Sequence, residues 1–257
     1  MIIKPDAPFF VGYLKPPKKI RKFLLLTALF LAGFMAAAGI VIGSTQDDPG
    51  NGAFRFDYGR QTVTGVIENL AYPIFHVTKG NDRIKAGHTF MLSSSGKSGI
   101  IRRAKPFIGK KTTVAGVILQ RGTLDMMQVS GRKGLVLADK DNPNDEISPP
   151  APEKLGRWRL AGEICDGKCL AGAMRPGRGI AHKACANLCL TGDIPPVFVS
   201  TKPVEGSEFL MVLDRDGGPL PKAAYDFVAQ YISLEGDVER RGNLLVFKID
   251  ANTIELM

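Results

Sequence analysis

Cys165, Cys169, Cys185 and Cys189 are the only cysteines of the chain, and they fall within about 25 of its 257 residues. Four thiols spaced C-x3-C-x15-C-x3-C support three chemistries. Two disulfides would staple a glycine-rich, apolar-poor segment that burial alone cannot order, and such bridges persist in an oxidising compartment. A metal or cluster site is the second. His182 stands three residues before Cys185, so His182, Cys185 and Cys189 could share a helix face. Cys165 or Cys169 would then complete a mixed zinc set or an iron–sulfur site. The third is an active thiol pair, although x3 spacing departs from the usual C-x-x-C geometry. The disulfide reading leads on compartment, and it expects no cofactor; zinc or iron–sulfur belongs to the alternative.

The cysteine spacing resembles the twin C-x3-C of small mitochondrial intermembrane-space chaperones, in which two bridges clamp a helical hairpin. The likeness ends with the cysteines. Gly167, Gly172, Pro176, Gly177 and Gly179 break any first helix. Only Ile180 to Leu190 reads as helical, which puts Cys185 and Cys189 on one face at i and i+4. Between the cysteine pairs, Arg175-Pro176-Gly177-Arg178-Gly179 combines two guanidinium groups with flexible backbone. Arg175, Gly177, Arg178 and Gly179 therefore form a candidate nest for an anion or an acidic partner, with a solvated turn as the plainer alternative.

Elsewhere the chemistry is thin. His76 and His88 could meet across a strand pair and bind copper or zinc, though packing is the commoner role of such histidines. Lys97 in SSSGKSG lacks the leading glycine of a phosphate loop. No G-x-S-x-G, H-E-x-x-H or C-x-x-C-H occurs, and no complete catalytic constellation is visible, so an enzyme is not expected. Trp158, Phe198, Tyr225 and Phe227 are spread out and read as core rather than as a base- or sugar-stacking surface.

The elements that must carry these residues are β-rich. Residues 62–68 and 111–120 are rich in β-branched side chains, and Gly122 separates the latter from 124–129. Residues 231–239 and 244–249 repeat that arrangement around Gly242. Set side by side, 114–129 and 234–249 share Gly116/Gly236, Arg121/Arg241, Gly122/Gly242 and Leu124/Leu244, and 63–69 aligns with 160–166. Two copies of a small β unit follow, each glycine supplying a bend and each Arg-Gly step a hairpin turn. The pattern resembles five-stranded OB-like barrels. The expected fold is therefore mainly β: a first OB-like domain at 53–138 and a second at 155–257, the latter carrying a cysteine-rich insertion at 165–196. Residues 139–154, rich in Pro and acidic side chains, read as a semi-stiff linker between them. Pro221 to Gln230 reads as a helix.

A tether precedes both. Residues 23–43 are 21 consecutive positions without a charge, enough to cross the roughly 30 Å of a bilayer core. Lys15, Lys18, Lys19, Arg21 and Lys22 lie before the segment and Asp47 and Asp48 after it. That asymmetry keeps a basic tail, 1–22, in the cytoplasm and sends the remainder outward. A cleaved signal peptide ending near Ala36-Ala37-Ala38 is the rival, but signal cores run only about 7–15 residues. Most of the net charge of +9 belongs to the tail, so no basic face for nucleic acid is expected. The sequence thus points to a single-pass protein of the inner membrane with its domains in the periplasm. Its expected role is an accessory, scaffolding or assembly subunit of an integral membrane complex, one handling electrons. The alternative is a redox or metal-handling protein whose working site is the cysteine segment itself.

Overall fold

The computed structural model describes residues 16–45, 50–138 and 147–257. Helix α1 (Lys18–Thr45) carries the uncharged segment and is long and apolar enough to span a membrane. At 1.5 Å per residue its 28 residues reach about 42 Å. Its apolar side chains, Phe23, Phe30 and Met35 among them, are exposed. The basic tail lies mostly outside the described residues.

From residue 50 onward the chain builds two closed barrels of five strands each. The first opens with β1 (Ala53–Phe54) and continues through β2 (Gln61–Glu68), β3 (Ile74–Lys79) and β4 (Thr89–Ser93). A short helix α2 (Ile101–Ala104) then leads to β5 (Lys111–Arg121), β6 (Leu124–Val129) and β7 (Leu135–Leu137). Going round the barrel the order is β2-β3-β4-β6-β5 and back to β2, with β4 and β6 parallel and every other pair antiparallel. The second barrel uses β8 (Glu153–Asp166) and then, after helix α3 (Lys183–Thr191), β9 (Pro196–Val204), β10 (Ser207–Asp214), β11 (Ile232–Arg241) and β12 (Leu244–Ile249). Its order is β8-β9-β10-β12-β11 and back to β8, again with one parallel pair, β10 with β12. A short β13 (Glu255–Leu256) adds to β11. Residues 222–227, expected to be α-helical, form a 3₁₀ turn. Half of the expected linker lies outside the described residues, and its last two positions already belong to β8.

The internal repeat is real at the level of atoms. Gly65 and Gly162 occupy the same place in the first strand of each barrel. A Cβ on either would collide with a backbone carbonyl of the next strand, that of His76 or Val199, and would touch the ring of Phe75 or Phe198. Gly116 and Gly236 match in the fourth strand, where a Cβ would meet the carbonyls of Gln128 and Lys248. Only glycine lets the strands bend this tightly against their neighbours. Each barrel has its own core: Ile67, Phe75 and Ile118 are buried in the first, and Phe198 and Phe247 meet edge-on in the second with ring centroids 5.5 Å apart. Trp158, Tyr225 and Phe227 pack on that second core, as the sequence suggested.

A third buried cluster joins the barrels into one body. Met91, Leu124 and Met126 of the first pack with Met211, Leu244 and Val246 of the second. These are corresponding positions on the third and fifth strands, so the contact is reciprocal, like an interface between two copies of one unit. The hairpin tips exchange in the same way. Thr123 at the β5–β6 turn meets Ser207 at the start of β10, Oγ to Oγ 2.6 Å, and the Arg121 guanidinium sits over the Phe209 ring. Asn243 at the β11–β12 turn accepts the Thr89 N–H at the start of β4, 2.6 Å. Arg241 crosses the seam to Glu68 and also donates through Nε and Nη2 to Glu239 Oε1, at 2.8 and 2.6 Å. Glu68 Oε2 accepts from His76 Nε2 at 2.7 Å, and Lys248 completes the network on Glu239 at 3.0 Å. The shared Arg-Gly-x-Leu motif is thus the docking element of each barrel on its twin.

Candidate functional site

Cysteine chemistry concentrates where the two barrels meet. The site is built by the segment between β8 and β9 and closed by a loop of the other barrel. β8 ends at Cys165 and Asp166, which pair with Val197 and Pro196 of β9. A single wide helical turn, Cys169–Ala173, follows and packs against β5 of the first barrel. The chain then runs through Arg175–Gly179 into a 3₁₀ turn at Ile180–His182 and into α3, which carries Cys185 and Cys189. The helix expected over 180–190 is present, and its i, i+4 spacing puts both sulfurs on the face turned toward Cys169.

Three of the four sulfurs converge. Those of Cys169, Cys185 and Cys189 lie within 4.8 Å of one another. Met174 brings its thioether 3.6 Å from the Cys185 sulfur. Lys97, on the loop after β4, reaches across from the first barrel: its Nζ donates to Cys185 Sγ at 2.7 Å and lies 3.9 Å from Cys189 Sγ. Cys169 and Cys189 are buried, Cys185 is half-buried, and Met174 is 43% exposed, so the cluster opens outward at Cys185 and Met174.

The two disulfides expected from the sequence are not formed. All four cysteines are free. The closest hydrogen-bonded pair, Cys169 and Cys189, is separated by 4.0 Å between sulfurs, whereas a bridge needs about 2.05 Å. Cys165 is turned by the pleat of β8 into the inter-barrel core beside Val197 and Leu170, in a different cluster from the other three. Burial pushes its thiol far above the ordinary range. Composition set the expectation of bridges, and strand alternation overrules it for Cys165.

His182 stands with Cys169 and Asp166 in a second group of possible metal ligands, apart from Cys185 and Cys189. Its Nε2 faces Asp166 Oδ2 at 2.9 Å, both side chains are fully buried, and Asp166 Oδ1 accepts the Cys169 N–H at 2.8 Å. His182 and Asp166 hold Cys169 in place as outer partners hold a ligand.

Electrostatics favour an anion at one sulfur, that of Cys189. The hydrogen bond shared by the Cys169 and Cys189 sulfurs pulls the Cys189 thiol down to about 7 and pushes that of Cys169 up. The Lys97 ammonium adds to the lowering at Cys189, and its own pKa is raised by its bond to Cys185. Lys168, buried and lowered by desolvation, donates to the carbonyls of Ser94 at 2.6 Å and Gly96 at 2.7 Å. It therefore clamps the loop that delivers Lys97. The Gly99 N–H donates to the Gly192 carbonyl at 2.6 Å, and a Cβ on Gly192 would strike the Lys97 carbonyl. That glycine lets the loop lie directly on the end of α3. We expect Lys168→Met, which keeps the stem but leaves two buried carbonyls without their donor, to cost about 2–3 kcal/mol. Denaturant unfolding of the full chain in detergent would measure it.

The Arg175–Gly179 nest is already supplied with an anion. Gly179 N–H donates to Glu163 Oε2 at 2.9 Å, and Arg178 Nε lies 3.5 Å from the same carboxylate. Arg175 Nη2 reaches the Gly52 carbonyl at 3.4 Å, and Gly177 lies flat on the backbone of Cys169. The loop thus roofs the thiol site, while Arg178 remains half-exposed. His76 and His88 do not meet at one site: His76 is taken by Glu68 and Thr89, and His88 faces Asp125 at 3.1 Å.

Asp166, Lys168, Met174 and Lys97 were not singled out as site residues from sequence. The first three lie inside the cysteine segment, so its density in chemistry-bearing side chains was their one signal. No family model, no curated protein and no solved structure matches this chain.

Proposed function

We propose that this is a membrane-tethered, metal-handling protein whose thiol cluster at the seam of two barrels binds one soft metal ion. The observation that carries the reading is the convergence of Cys169, Cys185 and Cys189 within 4.8 Å, brought together from both ends of one segment. Three sulfur ligands from Cys suit zinc, copper(I) or an iron site; Asp166, bonded to His182, holds the Cys169 backbone, Lys97 donates to Cys185, and Lys168 holds the Lys97 loop. The round-the-barrel strand order, with its single parallel pair between third and fifth strands, supports OB-like identity for both barrels and supports reading the cysteine segment as an insertion between strands one and two of the second. The lysines before the apolar helix support a cytoplasmic N-terminus at the inner membrane and periplasmic barrels.

A scaffolding role in a larger membrane complex, including one that transfers electrons, rests on the tether alone. The convergent thiols favour metal handling over it, though a tethered metal carrier could serve such a complex. The test is metal content of the full chain, purified anaerobically in mild detergent. One equivalent of metal is expected. Cys169→Ser, Cys185→Ser or Cys189→Ser should each weaken binding by more than the roughly 10–100-fold that an outer partner's loss costs, and Cys165→Ser should leave it intact. Metal-free protein in every preparation, or equal loss in all four variants, would defeat the proposal.

A further inference from the structure

Resting on that reading, we infer that the ion is monovalent copper, held by Cys169, Cys185 and Cys189 with the Met174 thioether as fourth sulfur. The donor set argues for it. Zinc takes thiolate, imidazole and carboxylate, usually four of them. Here the available imidazole and carboxylate, His182 and Asp166, are bonded to each other at 2.9 Å and gather about Cys169 alone. The soft donor beside the three thiols is instead a thioether, that of Met174, 3.6 Å from Cys185 Sγ. Thiolate with thioether is the soft combination that copper(I) selects. An iron–sulfur cluster calls for four thiolates, and the fourth, Cys165, faces the inter-barrel core.

Charge is consistent with a monovalent ion. Three thiolates around copper(I) carry an excess negative charge, and Lys97 stands 2.7 Å from one of the sulfurs to offset it. Lys168 supplies a second cation behind the same cluster. The gradient of exposure gives a route. Met174 and Cys185 stand at the surface, and Cys169 and Cys189 lie below them, so an ion can be received by the outer sulfurs and passed to the inner ones. Thioether exchange is compatible with release as well as capture, as a carrier requires.

The experiment is an anaerobic titration of the full chain in detergent with copper(I), competed by a chromogenic copper(I) chelator, alongside a zinc(II) titration competed by a zinc chelator. Copper(I) is expected to bind one to one and to displace any zinc. Met174→Leu should weaken copper(I) by about 10-fold, on the scale of losing a supporting partner, with unchanged unfolding and unchanged zinc affinity. If zinc binds through the three cysteines and copper(I) cannot displace it, the copper assignment falls while the metal-handling reading stands. If neither ion binds, both fall. If copper(I) binds but Met174→Leu has no effect, the fourth-sulfur assignment is wrong.

Discussion

Replacing Arg241 by Leu should destabilise the two-barrel body by about 3–5 kcal/mol, the usual effect of stripping one partner from a buried charge network. Among the described residues Arg241 is the cation that joins Glu68 of the first barrel to Glu239 of the second, and all three side chains are about 90% or more buried. Without it Glu68 keeps only His76, and Glu239 keeps only the more exposed Lys248. Two carboxylates would then face each other across the seam in a medium of low polarity. Arg241→Lys should recover part of the loss, because a point charge cannot repeat the three-way fork. Chemical denaturation of the full chain reads the effect. A change under about 1 kcal/mol would mean that the network contributes little to joining the barrels.

Gly162→Ala should cost about 3 kcal/mol, at the top of the usual range for overpacking. The added methyl would enter the Val199 carbonyl and crowd the Phe198 ring at the centre of the second core. Backbone cannot yield there without opening the β8–β9 pair, and that pair also fixes the two ends of the cysteine segment. The twin substitution Gly65→Ala should cost about as much through His76 and Phe75. Equal penalties at the two sites would support the repeat energetically. A neutral Gly162→Ala, seen in thermal unfolding, would show that the strand crossing is looser than its geometry indicates.

The repeat was legible in sequence because it is written in residues that geometry constrains tightly. Gly116/Gly236 mark strand crossings, and Arg121/Arg241 with Leu124/Leu244 mark the docking of one barrel on the other. The apolar helix was equally plain, being a matter of length and charge. Strands β4 and β10 were not singled out, since TFMLS and the run FLMVL are buried on both faces and lack alternation. At the site, the segment was identifiable but its wiring was not. Lys97 is 88 positions from Cys185, and Lys168 is 74 from Ser94, so nothing local announces either contact. Bridges were expected from the number of cysteines and the presumed compartment. The pleat of β8, which sends Cys165 inward, could be seen only once the strand was placed.

Convergence of three thiols on one ion is tested most directly by mapping alkylation in the full chain, with and without metal, by mass spectrometry under anaerobic conditions. In the metal-free protein Cys185, the most exposed thiol, should label first, with Cys189 and Cys169 following as the site breathes. Loading one equivalent of copper(I) should protect Cys169, Cys185 and Cys189 together, and Cys165 should stay unlabelled in both states. Protection of fewer than these three, or labelling that ignores the metal, would contradict the account.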